Sequence, residues 1–254
     1  ELDDSYVSFE DSGLADEILE IKDQNLAAAL NIIISEHGID RRDKDGEVIW
    51  LSDLYDITYL TLHDDNITDI TPLSKLVNLT YLYLGDNEGL TDISAVKALT
   101  NLKELYIFGT GVTDISALKD LKRLKKLNID RCEISDFSQL SALSSLCDLD
   151  ADSTGMTDIT AVLGLTELER LRIRGNDISS IAGIEKLQYL KELNIEVNKY
   201  IQDLTPLLEL KKLTKLSAKA DTAALKWICG NLTGLTDLEI HGDNLAASTF
   251  EPIA

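Results

Sequence analysis

Residues that build disulfide and metal frameworks are scarce in this chain. Its 254 residues include three cysteines and three histidines. The cysteines are Cys132, Cys147 and Cys229. Their odd number and scattered spacing indicate free thiols rather than disulfides or a zinc finger. The histidines (His37, His63 and His241) lie several repeats apart, so they cannot share a metal ion. We predict no metal site and no cofactor.

Motifs for membrane insertion and catalysis are also missing. No run of 18 apolar residues occurs, which excludes a membrane-spanning helix of ordinary length. Neither a Gly-x-Ser-x-Gly elbow nor a phosphate-binding glycine loop is present, and we predict that the chain is not an enzyme. Residues 43–46 read Asp-Lys-Asp-Gly like part of a calcium loop, but Arg41 and Ser52 occupy the positions of the first and last ligands.

The charge balance is strongly acidic and uneven. The net charge is −21, and residues 1–56 carry 16 acidic and four basic residues, a local balance of −12. Nucleic-acid backbones attract proteins through lysine and arginine. The acidic balance therefore argues against nucleic acid as a partner.

A pattern of leucines repeats from residue 57 onward. Each copy reads Leu-x-x-Leu-x-Leu and continues with a turn of the type Asn-x-Ile-Thr-Asp-Ile. The copies begin at Ile57, Leu79, Leu102, Leu124, Leu146, Leu168, Leu190, Leu213 and Leu235. Most intervals are 22 residues and two are 23, the added residues lying near Glu88-Gly89 and Lys199-Tyr200. This period predicts an α/β fold, a right-handed leucine-rich-repeat solenoid with a concave parallel sheet and a convex side of short 3₁₀ helices.

Each copy supplies a strand and then a turn. Leu127 and Ile129 alternate with polar neighbours, as in a strand with one buried face. The asparagine that follows some strands (Asn87, Asn176 and Asn198) is expected to hydrogen-bond the backbone of adjacent turns.

An aspartate recurs in the second half of most copies. It precedes a short apolar run, at the place where an N-cap belongs. The series is Asp69, Asp92, Asp114, Asp136, Asp158 and Asp203. We interpret these carboxylates as helix caps rather than metal ligands.

The ends of the chain depart from the repeat. We predict that residues 1–56 form a tail and a helical cap, with a short strand at 18–21 and a helix from Asn25 to Gly38 that presents Leu26, Leu30, Ile33 and Ile34 on one face. Residues 57–254 then form eight complete copies and a partial ninth, continuous with the cap because one copy cannot bury its own core. A longer helix should begin at Asp221 or Thr222 and close at Gly230. We expect Phe250 and Ile253 to fold over the end, and we expect the natural protein to continue.

The cap and the turns resemble the internalins, leucine-rich-repeat proteins of bacterial surfaces. The resemblance is carried by residues 66–73 (Asn-Ile-Thr-Asp-Ile-Thr-Pro-Leu), residues 203–207 (Asp-Leu-Thr-Pro-Leu) and the cap segment 23–30. It implies an exported or cell-surface bacterial protein, often an adhesin, that binds protein partners on its concave sheet. We expect a monomer. An intracellular scaffold and a glycan-binding surface are the alternatives.

Outward positions of the predicted sheet form rows from copy to copy. The third position alternates in sign from Glu104 to Asp237, which predicts a ladder of ion pairs. Its central part places Asp148, Asp150 and Asp152 beside the arginines of the next copy. From this region we select Asp150, Arg170, Arg172 and Arg174 as candidate partner-binding residues, for specificity more than affinity.

Aromatic residues replace the charges in the first three copies. Five of the chain's twelve tyrosine and phenylalanine residues point to the predicted concave side, with one histidine at the edge. The six candidate partner-binding residues are Tyr59, His63, Tyr81, Tyr83, Tyr106 and Phe108. Cross-strand stacking alone would explain such a cluster, but exposed aromatic clusters are also typical anchors of protein interfaces.

Overall fold

The computed structural model describes residues 6–36, 38–39, 48–198 and 201–241. The chain divides into two compact units, Glu1–Leu143 and Ser144–Ala254. The predictions that concern His37, residues 43–46, the Lys199-Tyr200 insertion, Phe250 and Ile253 lie outside the described residues. Within the described ranges, no helix is long and apolar enough to cross a membrane.

The amino-terminal unit combines a helical cap with four repeat coils. Its helices are α1 (Phe9–Ser12), α2 (Gln24–Glu36) and α3 (Leu51–Leu54). Its strands are β1 (Tyr59–Thr61), β2 (Tyr81–Tyr83), β3 (Glu104–Tyr106) and β4 (Lys126–Asn128), and its 3₁₀ helices are Thr71–Lys75, Ser94–Ala98, Ser116–Asp120 and Ser138–Ala142. The strands pair in parallel in sequence order, so that Tyr59, Tyr81, Glu104 and Lys126 lie in one row.

The carboxy-terminal unit continues the same plan. Its strands are β5 (Asp148–Asp150), β6 (Arg170–Arg172), β7 (Glu192–Asn194), β8 (Lys215–Lys219) and β9 (Asp237–His241), again parallel and in register. Its 3₁₀ helices are Thr160–Val162, Ile184–Lys186 and Thr205–Glu209, and α4 spans Thr222–Asn231. Short parallel strands alternating with 3₁₀ helices confirm the leucine-rich-repeat fold. That the repeats form one continuous body with the cap stays a prediction.

Buried asparagines stabilise the turns, as predicted. Asn87 is fully buried, and its Oδ1 accepts a hydrogen bond from Ile67 N at 2.8 Å. Its Nδ2 donates to the carbonyls of Leu62 and Leu84 at 2.7 and 2.8 Å. In the carboxy-terminal unit, Asn176 makes equivalent bonds with Ala151 and neighbouring residues. One amide therefore pairs backbone groups of two adjacent coils that have no strand partner.

Coils without the asparagine use smaller polar groups at the same place. Thr110 donates its hydroxyl to the Ile107 carbonyl at 2.7 Å, and the Cys132 thiol donates to the same carbonyl at 3.1 Å. Burial raises the pKa of Cys132, which favours the neutral thiol at this position. The described residues contain free cysteines only, as the sequence predicts.

The recurring aspartates cap the 3₁₀ helices, but they do not occupy the N-cap position that the sequence predicts for them. Each lies one residue before it. Asp69 Oδ1 accepts from Thr71 N at 2.8 Å, and Thr71 is the first residue of its helix. The cap position itself belongs to the buried Ile70, which bears no side-chain acceptor. Equivalent bonds occur at Asp92, Asp114, Asp136, Asp158 and Asp203. The predicted capping role is confirmed, but the predicted position was wrong because the apolar residue between must face the core.

The helical cap also differs from prediction at its ends. The predicted strand at 18–21 is a single antiparallel bridge between Ile18 and Trp50. Helix α2 begins at Gln24 rather than Asn25, because Asp23 Oδ1 accepts from the backbone N–H groups of Asn25 and Leu26 at 2.9 and 3.0 Å.

Helix α4 of the carboxy-terminal unit, capped by Asp221, runs past the predicted end at Gly230 to Asn231.

A left-handed residue follows the first seven strands. It stands at the eighth position of each copy, and five of the seven carry a side chain. The seven are Asp64, Asp86, Gly109, Arg131, Ser153, Gly175 and Val197. In the eighth copy Ala220 is not left-handed, and β8 extends to five residues where β1 to β7 have three. The left-handed residue therefore marks the point, three residues after each strand, where the backbone leaves the extended conformation.

Candidate functional site

Aromatic rings of the amino-terminal unit form one contiguous surface, here termed the aromatic patch (Tyr59, His63, Tyr81, Tyr83, Tyr106 and Phe108). Tyr59 and Tyr81 stack with ring centroids 4.1 Å apart and planes 13° from parallel. Tyr81 and Tyr83 each lie 5.4 Å from Tyr106, which joins the two rows. Phe108 and His63 complete the surface with edge-on contacts to Tyr83, both at 5.4 Å.

Side-chain burial within the aromatic patch is graded. Tyr59 is 59% exposed at the edge of the sheet, whereas Tyr81, Tyr83, Tyr106 and Phe108 are half-buried against one another. The leucines that alternate with them, such as Leu82, are fully buried on the opposite side of the strands. The hydrophobic core is therefore complete without the aromatic residues, and these rings form a second apolar surface that faces solvent.

Two glycines make room for the aromatic patch. A Cβ at Gly85 would lie 2.5 Å from ring carbons of Phe108, so any other residue here would force this ring to move. Gly109 is left-handed, and a Cβ there would lie 2.4 Å from Asp86 Oδ1. The position of the Phe108 ring thus depends on Gly85, and the position of Asp86 beside it depends on Gly109.

Charged groups border the aromatic patch. The Tyr106 hydroxyl donates to Glu104 at 2.8 Å, and Glu104 pairs with Lys126 at 3.0 Å. Arg131 pairs with Asp86 at 3.0 Å and with Asp130, and its guanidinium lies 5.8 Å from the Phe108 centroid. The Tyr106 hydroxyl and the Phe108 ring thus each lie beside a charged side chain.

Partial burial raises the pKa of several groups at this surface. Burial, together with the Asp86 charge, raises the pKa of Tyr83 above its ordinary value. Burial, together with the neighbouring Asp64, raises the pKa of Asp65, although His63 opposes the shift.

The remaining candidate residues belong to a charge ladder in the carboxy-terminal unit. Arg170 bridges Asp148 at 2.9 Å and Glu192 at 3.3 Å, and Arg172 bridges Asp150 at 3.6 Å and Glu192 at 3.1 Å. Burial opposes ionisation of Arg172, but its hydrogen bond to Glu192 and the nearby carboxylates raise its pKa overall. The predicted pairing of opposite charges is confirmed within this unit.

Arg174 extends the ladder into a cluster that sequence reasoning missed. Its Nε lies 3.6 Å from Glu196 Oε2, and the other oxygen of Glu196 contacts His241 Nδ1. Glu239 lies beside both. The three histidines lie far apart from one another in the sequence, so their spacing gives no sign of this cluster. The useful signal was the repeat register, which puts Glu196 and His241 at the seventh position and Glu239 at the fifth.

Comparisons with known proteins agree with this architecture. A family model described as leucine-rich repeats matches residues 56–98 and 100–142. The crystal structure of internalin C2 from Listeria monocytogenes is 29% identical, covers 86% of this chain and 93% of its own, and has a TM-score of 0.75. The chain has a leucine-rich-repeat fold that is similar to that of the internalins.

A second internalin structure shows the same similarity. The internalin InlF of Listeria monocytogenes is 29% identical over 89% of this chain and 78% of its own, with a TM-score of 0.65. A leucine-rich-repeat protein of Leptospira interrogans, 22% identical over 74% of this chain and 56% of its own, has a TM-score of 0.58 and shares the fold. No curated protein sequence matches the chain. Internalin-like repeat proteins are in general non-enzymatic interaction modules.

Proposed function

We propose that the chain is a non-catalytic protein-binding module of an exported bacterial protein and that the aromatic patch is its main contact with a protein partner. The observation that carries this proposal is the contiguous set of six partly or fully exposed rings. The resemblance to two internalins of Listeria monocytogenes supports a role at the cell surface or in secretion.

The geometry of the aromatic patch favours tight packing against another protein. Tyrosine rings bury large area with few rotatable bonds, and interface hot spots are enriched in them. Here Tyr83 contacts Tyr106, Phe108 and His63, so its ring is already held in place. Prior ordering lowers the entropy that binding must remove. A partner can therefore pack against the patch without first having to order its rings.

The charge ladder would contribute specificity. Asp150, Arg170, Arg172 and Arg174 already have opposite charges beside them, so a partner must replace pairs rather than satisfy unpaired groups. Half-exposed ion pairs contribute little to affinity. A partner with a mismatched charge would still be rejected.

The geometry favours a protein over a glycan as the ligand. Sugars stack on open ring faces, but one face of Tyr81 is covered by Tyr59 at 4.1 Å and its other neighbour is Tyr106. The side chains of a protein surface can instead pack into the gaps between the tilted and edge-on rings. We expect no binding to a glycan array.

Replacement of both Tyr83 and Tyr106 by alanine should weaken partner binding at least about tenfold, since each alanine removes an anchor ring and loosens its neighbours. Candidate partners would be recovered by capture from extracellular extracts on the immobilised chain. The deciding measurement is the dissociation constant of the purified partner for the parent chain and the double variant.

Tyr189 provides a matched control for this experiment. It is 44% exposed and lies outside the aromatic patch, 3.8 Å from Lys212 Nζ. Tyr189→Ala should leave the dissociation constant unchanged, and circular dichroism should show all variants folded. Equal affinity of the double variant and the parent chain would refute the assignment of the patch.

A further inference from the structure

Three potential metal ligands meet at the outward face of the carboxy-terminal unit. His241 Nδ1 and one carboxylate oxygen each from Glu196 and Glu239 lie within 4.8 Å of one another. Glu196 follows β7, while Glu239 and His241 belong to β9, two strands away. Strand β8 lies between them and places Lys219 in register with His241.

Glu196 is unusual among the acidic residues of this unit. Its side chain is 6% exposed, whereas the side chains of Asp148, Asp150 and Glu192 in the charge ladder are 18–24% exposed. Arg174 Nε lies 3.6 Å from its Oε2 atom. A buried carboxylate needs compensating charge. The Oε1 atom faces the imidazole of His241, which compensates it as a neutral hydrogen-bond donor or as a cation.

We propose that Glu196, Glu239 and His241 bind a divalent transition-metal ion of the zinc type. One imidazole nitrogen and two carboxylate oxygens match the donor sets that zinc accepts, and three protein ligands leave a position for water or a partner's side chain. Calcium and magnesium prefer all-oxygen sites, so the imidazole selects against them.

Surrounding groups support this arrangement and also limit its affinity. The Ser217 hydroxyl lies 3.4 Å from Glu239 Oε2, and Arg174 contacts the Glu196 oxygen that faces away from His241. Outer contacts of this kind orient metal ligands. The positive charges of Arg174 and Lys219 oppose a second cation. We therefore expect weaker binding than in a structural zinc site, and the ion would join β7 to β9 across β8.

Calorimetric titration of the metal-free full chain with zinc chloride tests the proposal. We expect saturable binding of one ion per chain, weakened at least about tenfold by His241→Ala and by Glu239→Gln. Binding should also weaken in acid, because only neutral imidazole coordinates metal. Calcium and magnesium should bind much more weakly than zinc.

Controls separate this site from general binding to an acidic surface. Glu167 is an exposed carboxylate in the same unit and outside the cluster, so Glu167→Gln should leave the zinc affinity unchanged. If His241→Ala does not fold, Glu239→Gln still decides the question, because Glu239 is exposed. Absence of saturable binding, or equal affinity in the parent chain and Glu239→Gln, would overturn the proposal.

Discussion

The free energy of unfolding should fall by about 4 kcal/mol when Asn87 is replaced by alanine, because three buried backbone groups would lose their partners at about 1–3 kcal/mol each. Those groups are the N–H of Ile67 and the carbonyls of Leu62 and Leu84. Asn87 is fully buried, so water cannot replace the amide without opening the coil. Urea denaturation followed by circular dichroism measures the change.

Asn101 supplies the matched control for this substitution. It lies in the same unit, is partly exposed, donates to the Val77 carbonyl at 3.0 Å and accepts from the Arg123 guanidinium at 3.3 Å. Asn101→Ala should cost only about 1–2 kcal/mol, because water can replace these partly exposed bonds. Equal losses for Asn87→Ala and Asn101→Ala would show that the two-coil bonding of Asn87 adds no stability.

Replacement of Asp23 by alanine should be the second most damaging of these changes, at about 2–3 kcal/mol, because an N-cap and charge-assisted bonds are lost together. One oxygen of Asp23 caps α2 through Asn25 and Leu26. The other accepts from Thr68 N, Thr68 Oγ1 and Asp69 N at 2.7, 2.8 and 3.1 Å. This carboxylate therefore fastens the cap helix to the first coil. Thermal and urea unfolding of the variant measure the loss.

The same carboxylate should make stability depend on pH. Partial burial opposes its ionisation, but hydrogen bonds from Leu26, Thr68 and Asp69 outweigh burial and lower the pKa of Asp23 from 3.8 to about 2. The folded state thus holds the proton more weakly than the unfolded state. The stabilisation is complete above about pH 4 and is lost as the pH falls towards 2. Solvent screening reduces its size to about 1 kcal/mol at this partly exposed site.

Asp23→Asn isolates the contribution of charge. The amide keeps one acceptor for the helix cap, but it cannot accept at both ends. The difference in unfolding free energy between the parent chain and Asp23→Asn should shrink between pH 7 and pH 2. Asp92→Ala, which removes the bond to Ser94 N, should cost less than Asp23→Ala at pH 7. A difference between the parent chain and Asp23→Asn that does not change with pH would contradict the role of the charge.

Local patterns in the sequence predict the repeat well and its ends less well. Leu82 and its equivalents alternate with outward residues, and this period alone determines which side is buried. Asn87 follows the strand at a fixed distance, so its role is also visible in the pattern. Asp23 and Thr68 are 45 residues apart and belong to different elements. No periodicity links them, and the contact between cap and coil therefore appears only in the structure.

The sequence predicts the aromatic patch more completely than the cluster around Glu196. Register places Tyr59, Tyr81 and Tyr83 in neighbouring rows, and the structure brings their rings into one patch with Tyr106. Register does not show that Gly85 is required beneath Phe108, because that depends on the space above the backbone. The Glu196–His241 contact escaped notice because it crosses an intervening strand. Partner binding by either surface stays a prediction.

The left-handed residue at the eighth position of the first seven copies has a consequence for how such genes diverge. It recurs every 22 or 23 residues, and within each unit the three-residue strands before it keep the same register from copy to copy. Duplication of one block would therefore add a complete row to the outward face without shifting the rows already present. Point changes at outward positions alter that face alone, because the leucines beneath them are separate residues. The residues of the outward face can thus change by recombination and drift, while the buried leucines that form the repeat stay the same.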